Sequence, residues 1–353
     1  MHVIVHIGPP KTGSSAIQGS LSKNSEQLAD QGYLTYRGSK LKARALSSWF
    51  IGKNTKLNPA MRAHFSSIAE MKKWSEKSWF EFESRVQKEK PRAAIISSEH
   101  FSDINKLPVF IKRLGQTFSD IRIISYVRDP VDLYLSVVNQ VIRGGARFAD
   151  LKTPQTFKYP SQKRISRYVN LLGQEKVTVR NFDRANLAGG DVIEDFFDVI
   201  SKIEESEIRV ADKSFVKNQS LSAAATVWLM TLNETFDRYG KSDDKAVLQS
   251  RRDLLKRLKA SEPLKLLPKL KLSDPWMQSV IRYNARDTVD WFNSKALQGQ
   301  KPLETIARTA PAPDTQGVQE QMRDWMFSYL TPENTETLLR EIVLLSDESP
   351  DQI

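Results

Sequence analysis

The 353-residue chain contains no cysteine. That excludes disulfide bridges, thiolate nucleophiles and cysteine-ligated zinc, and it suits a protein that works in a reducing compartment. Nowhere does the sequence hold the roughly 18–20 apolar residues in a row that a membrane-spanning helix needs. The amino-terminal run HVIVHIG has no basic segment before it and is too short for a secretory leader. These absences lead us to expect a cytoplasmic protein without an integral membrane segment, with peripheral contact to a membrane surface left open. Acidic residues are also missing from 31–69, where Arg37, Lys40, Lys42, Arg44, Lys53, Lys56 and Arg62 fall.

What is present is mostly basic. The formal net charge is +11, and a second basic run, residues 251–271, has eight Lys or Arg against Asp253 and Glu262. Each run reads either as solvated surface or as a positive field that draws in an anionic ligand or acceptor. Nucleic acid is not the expected partner, because no helix-turn-helix, RNP or zinc-finger pattern accompanies the charge.

The first half of the chain alternates strand and helix patterns. Continuous apolar runs read as buried parallel strands at HVIVHIG, AAIISSE (93–99), IRIISYVR (121–128) and KVTVRNF (176–182), with a shorter one at YLTY. Between them lie helical patterns: one from Ser14 to the stop at Gly32, others over 75–89, around LPVFIKRLGQTF, over RDPVDLYLSVVNQVIRGG and over SQKRISRYVNLLGQ. Asp129 and Pro130 suit the cap and first turn of one of these helices. Beyond about residue 220 only helical patterns remain, at 221–239, 243–260, 276–297, 318–329 and 332–345. The expected fold is α/β: a P-loop-like, three-layer arrangement of a central parallel sheet flanked by helices, with a helical C-terminal extension. The expected division is a core over 1–220 and a helical portion over 221–353, packed on that core and not independent of it.

The stretch HIGPPKTGSSAIQ carries the chemistry. A strand, a glycine-containing turn and a helix form an anion site from backbone N–H groups and the helix dipole. Gly8 and Gly13 have the spacing of a Walker A loop, and Ser15 closes the pattern, but Ser14 stands where that loop has its lysine. Lys11 sits on the turn instead. A lysine there suits a nucleotide whose single 5′-phosphate bears a transferable group, a ligand with less need of a metal, and no metal site is expected.

GPPKTGSSAIQ resembles the 5′-phosphosulfate loop of sulfotransferases that use 3′-phosphoadenosine 5′-phosphosulfate (PAPS), of the bacterial and carbohydrate type. The resemblance implies that Lys11 stabilises the bridging oxygen as the sulfuryl group leaves. It also implies that Pro10, Lys11, Thr12, Gly13, Ser14 and Ser15 form the loop around the 5′-phosphate. The family binds the donor's 3′-phosphate with an arginine at a strand end and a serine eight residues on. YVRDPVDLYLS supplies Arg128 and Ser136 at that separation, and a guanidinium fork suits phosphate. The product would be 3′,5′-adenosine bisphosphate (PAP).

Transfer to a hydroxyl needs a base for the acceptor's proton. Glu99 and His100 stand where AIISSEHFSD leaves its strand, and carboxyl ends of parallel strands form the ligand crevice. Glu99 is preferred, because SSEHF resembles the Ser-x-Glu segment of bacterial members; His100 follows, with an ordinary pKa near 6.5 that suits the task. FVKNQSLS resembles a segment seen after the sheet in bacterial members, which puts Lys217, Asn218 and Ser220 among candidate nucleotide contacts. The late R-K-G-x-x-G-x-W-K segment of the cytosolic small-molecule branch is absent. The resemblance therefore implies a carbohydrate or otherwise anionic acceptor, and it gives no oligomeric state. Two other readings stay open: a P-loop kinase, which would want a lysine after Gly13 and an acidic Mg²⁺ ligand, and a non-catalytic nucleotide- or polyanion-binding protein.

Overall fold

The structure, a computed structural model, describes residues 1–36, 42–52, 57, 59–62, 64–211, 220–235 and 245–347. Lys217, Asn218 and part of the basic stretch 31–69 lie outside the described residues. Five strands form a parallel sheet: β1 His2–Ile7, β2 Tyr33–Thr35, β3 Ala93–Ser98, β4 Asp120–Val127 and β5 Val177–Asn181, in the order β2-β3-β1-β4-β5. Helices separate the strands in sequence, as parallel pairing requires, and the chain is α/β. The central strands carry apolar runs because both faces are covered: Val3, Ile4, Val5, Ile123 and Ile124 are fully buried. Burying each such side chain contributes about 1.5–3 kcal/mol.

The chain divides into two compact units. The first comprises Met1–Asp129, Pro160–Lys217 and Thr288–Leu303, and it holds the entire sheet; the second comprises Pro130–Tyr159, Asn218–Asp287 and Glu304–Ile353. The chain passes from one unit to the other at 217/218 and at four further points, which assign Pro130–Tyr159 to the second unit and Thr288–Leu303 to the first, a more interleaved division than the single expected boundary at 220.

In the first unit the helix expected from Ser14 to Gly32 is two helices, Ser14–Lys23 and Ser25–Asp30. Asn24 makes the break. Its side-chain amide donates to the Ser20 carbonyl at 3.0 Å, giving the backbone a local alternative to the helix ladder. Helix Ile68–Glu89 starts seven residues earlier than the sequence pattern suggests, capped by Ser67, whose hydroxyl accepts from the Glu70 N–H. The longest helix to escape the sequence reading is Val192–Glu204, capped by Asp191 and packed through Phe196 and Ile200 into the cluster that also buries Ile4, Ile17 and Tyr126; the short helices Lys42–Ala45 and Pro59–Arg62 escaped it too.

The second unit is helical, with helices that include Pro130–Arg143, Ala223–Thr235, Lys245–Ala260, Val318–Phe327 and Pro332–Asp347. Arg251, first residue of the second basic run, is 4 % exposed and donates to the carbonyls of Ile142 and Arg143, each at 3.0 Å, and to Asn233 Oδ1 at 2.8 Å. It serves the carbonyl end of helix Pro130–Arg143, so that run is partly a structural element and not all solvated surface.

Candidate functional site

β1 is the central strand, and its carboxyl end sets the site. Ile7 is paired with Ser98 on β3, so Glu99 leaves its strand beside the point where Gly8 leaves β1. On the other side His6 is paired with Ile124, and β4 runs on to Val127 before Arg128. Lys11, Glu99, His100 and Arg128 therefore belong to segments that leave three adjacent strands at one edge of the sheet, the edge where parallel α/β sheets bind ligands.

The loop from Gly8 to Gly13 is held by its own atoms. Thr12 is buried, and its hydroxyl donates to the Pro9 carbonyl at 2.7 Å. Gly13 is left-handed, with φ 80°, and its carbonyl accepts from the N–H groups of Ala16 and Ile17 at 2.9 and 3.1 Å, opening helix Ser14–Lys23. A side chain at Gly13 would also meet Phe182 and Val192 at 3.0 Å, so only glycine fits there. Lys11 has φ 71°, a conformation lysine rarely adopts, and its side chain is half-buried.

Two observations test whether this loop suits a phosphate. A Cβ at Gly8 would lie 1.9 Å from Ser14 Oγ, so the backbone there passes against the serine hydroxyl and leaves space for nothing larger than hydrogen. Ser14 Oγ is itself buried without a hydrogen-bond partner. An orphaned buried hydroxyl at the start of a helix, beside a lysine, fits an oxyanion. Ser15 is exposed.

Arg128 comes to the same loop. Its Nη1 donates to the Lys11 carbonyl at 3.5 Å, and its guanidinium lies 5.8 Å from the centre of the Phe182 ring. Phe182 thus meets Arg128 and lies against Gly13, a part the sequence reading did not give it; an aromatic just past the end of β5 was the available signal. Ser136 lies half-buried on helix Pro130–Arg143 in the second unit. Ser220 is exposed.

His6 underlies the loop and was also missed. It is fully buried, its Nδ1 shares a hydrogen bond with Ser97 Oγ at 2.7 Å, and its ring meets Tyr126 and Phe196 edge-on. Burial pushes its pKa down to about 3, so the ring is neutral in ordinary buffers. Its Cε1 would lie 3.0 Å from a Cβ at Gly8, which makes it the floor of the turn. Below it, Asp195 accepts from the Tyr126 hydroxyl at 2.9 Å, from Arg180 Nε at 3.0 Å and from the Ala188 N–H at 3.0 Å. That network ties β4, β5 and helix Val192–Glu204 together and so holds Val192 against Gly13.

Glu99 and His100 are brought together. They open a short 3₁₀ turn, Glu99–Asp103, capped by Ser98, whose hydroxyl accepts from the His100 N–H at 3.2 Å. His100 Nε2 lies 3.4 Å from Glu99 Oε1. Burial lowers the His100 pKa and the Arg44 charge lowers it further, against the opposing pull of Glu99 and Asp103. A neutral imidazole can accept a proton, and the adjacent carboxylate can orient it. His100 also lines a cavity of about 210 Å³; Glu99 is not among the residues that line it.

Among the described residues no group of three or more His, Asp or Glu is placed to hold a metal ion, and no helix is long and apolar enough to cross a membrane. No family model matches the chain, and no curated protein matches it. Among solved structures it is similar to the sulfotransferase domain from the curacin biosynthetic pathway, at 13% sequence identity and a TM-score of 0.33, over 72% of this chain and 96% of that one.

Proposed function

We propose that the protein is a sulfotransferase that moves a sulfuryl group from PAPS to an acceptor hydroxyl. The observation that carries the reading is Lys11, held at positive φ on the turn of a strand–loop–helix phosphate site with Arg128 reaching the same turn. A phosphoryl-transfer loop of the Walker type puts its lysine one residue past the second glycine, where this chain has Ser14.

In this reading Pro10, Lys11, Thr12, Gly13, Ser14 and Ser15 surround the 5′-phosphate, with backbone N–H groups and the Ser14 hydroxyl as donors. Arg128, Ser136, Lys217 and Asn218 belong to the 3′-phosphate and nucleoside. Bound there, the donor supplies an activated sulfuryl group: the acceptor oxygen bonds to sulfur as the sulfur–oxygen bond to the 5′-phosphate breaks, and that electron pair leaves with PAP. Lys11 offsets the charge that gathers on the leaving oxygen, the kind of aimed electrostatic help worth about 10²–10³ in rate. The hydroxyl proton passes to the Glu99–His100 pair. The motif favours Glu99 as the base, whereas the cavity against His100 supports the imidazole as acceptor and Glu99 as the group that orients it. No metal is assigned a role, because Lys11 and Arg128 carry the positive charge. Residues 1–220 would supply the donor chemistry and 221–353 the helical portion; the absence of cysteine supports a cytoplasmic site of action.

The test is sulfuryl transfer from radiolabelled PAPS, with chelator present, to a panel of hydroxyl compounds. The reading expects labelled ester from at least one acceptor and its loss with Lys11→Ala. Phosphoryl transfer from Mg-ATP would instead establish a kinase, and an equal response to any polyanion without transfer would establish a binding protein.

A further inference from the structure

The cavity against His100 says something about the acceptor that the motifs do not. It lies wholly within the first unit, and six of its twelve lining residues are aliphatic or thioether side chains. Met61, Met71 and Ile104 are nearly buried, at 2, 3 and 4 % exposed, and Ile51 adds to the same lining. The other six are polar, Arg44, Ser47, Ser48, His100, Asp103 and Asn105; of these Asp103 is paired with Arg164 at 2.7 Å and the Ser47 hydroxyl donates to the Arg44 carbonyl at 3.2 Å. Among the described residues no tryptophan, tyrosine or phenylalanine lines it.

A saccharide would bring many hydroxyls to this wall. The six polar groups could pair with a few of them, but those set against Ile51, Leu57, Met61, Ile68, Met71 and Ile104 would leave water without gaining partners, at roughly 1–3 kcal/mol for each buried unsatisfied group. An alkyl group meets the opposite balance, since methionine adapts its shape to whatever apolar group enters. The volume, about 210 Å³, is below the ~300–1,000 Å³ of sites that enclose drug-sized molecules, so the occupant is small or enters in part.

We infer that this cavity receives the apolar body of the acceptor, and that the acceptor is an aliphatic alcohol, not a saccharide, with its hydroxyl at His100. The inference rests on the sulfuryl-transfer reading for the word acceptor, but binding to the cavity does not. The proton leaves the hydroxyl for the imidazole while the alcohol oxygen bonds to sulfur, and PAP departs with the electron pair.

Thermal shift and isothermal titration with two probes, 1-octanol and N-acetylglucosamine, test it on the full chain with and without PAP. We expect 1-octanol to bind and N-acetylglucosamine not to, and Met71→Trp, which fills the cavity, to weaken 1-octanol at least tenfold while PAP still stabilises the variant. If Met71→Trp does not fold, Ile51→Trp, at a half-buried position, gives the same comparison. Binding of N-acetylglucosamine in place of 1-octanol, or equal 1-octanol affinity in the filled variant, overturns the inference. PAP stabilisation with no 1-octanol binding removes the cavity inference alone. Cavity-dependent 1-octanol binding without any response to PAP keeps the apolar site and removes the donor reading.

Discussion

Lys11 holds a backbone conformation that costs an L-residue roughly 1–2 kcal/mol relative to the ordinary regions. Replacing it with glycine would relieve that strain, so the lysine persists at this position against local preference, and strain of this kind collects at functional sites. Lys11→Ala is expected to lower transfer by about 10²–10³-fold while leaving thermal stability close to the parent's. Rate assays beside melting curves check the pair of outcomes. At the base, His100→Asn should cost about 10²–10⁴-fold in turnover, and Glu99→Gln should cost less and move the acid limb of the pH–rate profile; equal losses with no change in profile would make Glu99 the base itself. The placement of Lys11, Glu99, His100 and Arg128 after adjacent strands was legible because each sits in a short motif tied to a strand end. His6 and Phe182 were not. Their roles come from what the fold sets against Gly8, Gly13 and Arg128, and no local spacing in the sequence encodes those meetings.

At the level of elements, the strand–loop–helix unit depends on two close approaches. Gly8→Ala would drive a methyl group to 1.9 Å from Ser14 Oγ. Forced overpacking of this sort costs about 1–3 kcal/mol, and here it also displaces the loop. We expect loss of PAP binding greater than the loss of stability, measured by titration calorimetry and urea unfolding; unchanged PAP affinity in a folded Gly8→Ala variant would show that the turn is not the phosphate site. The strands were readable because β1, β3 and β4 are buried on both faces and so continuously apolar. Helix Val192–Glu204 was legible and went unread: Val192, Ile193, Phe196, Phe197, Val199, Ile200 and Ile203 recur at helical spacing on one face. Its cap Asp191 and the acids Glu194 and Asp195 in its first turn were further signs. The break at Asn24 was hidden because Ile17, Leu21 and Leu28 keep helical spacing on either side of it.

For the whole molecule, the sheet's order puts the loop between its two partners, and the buried groups beneath make stability depend on pH. His6 titrates at about 3 when folded and near 6.5 when unfolded. Its contribution is complete above pH 6.5 and is lost as pH falls from there toward 3, because only the unfolded chain takes up the proton over that range. Between pH 7 and pH 5 this amounts to about 2 kcal/mol. Urea unfolding at the two pH values should show that loss in the parent and a correspondingly smaller one in His6→Asn; the same loss in both would clear His6. The net charge was legible at once, but its deployment was not: Arg251 serves a helix end, and the acid-free stretch contributes Arg44 to the cavity against His100. Composition counts charges, and only the fold says which of them face a ligand.

The most direct measurement is the change in melting temperature that PAP produces without Mg²⁺, in the parent, in Lys11→Ala and in Arg128→Ala. Saturating PAP, at about a hundred times its dissociation constant, should stabilise the parent by about 2.7 kcal/mol, and Arg128→Ala should lose most of that gain at the same concentration, with Lys11→Ala losing less. No stabilisation of the parent, or a larger one from Mg-ATP than from PAP, would contradict the account.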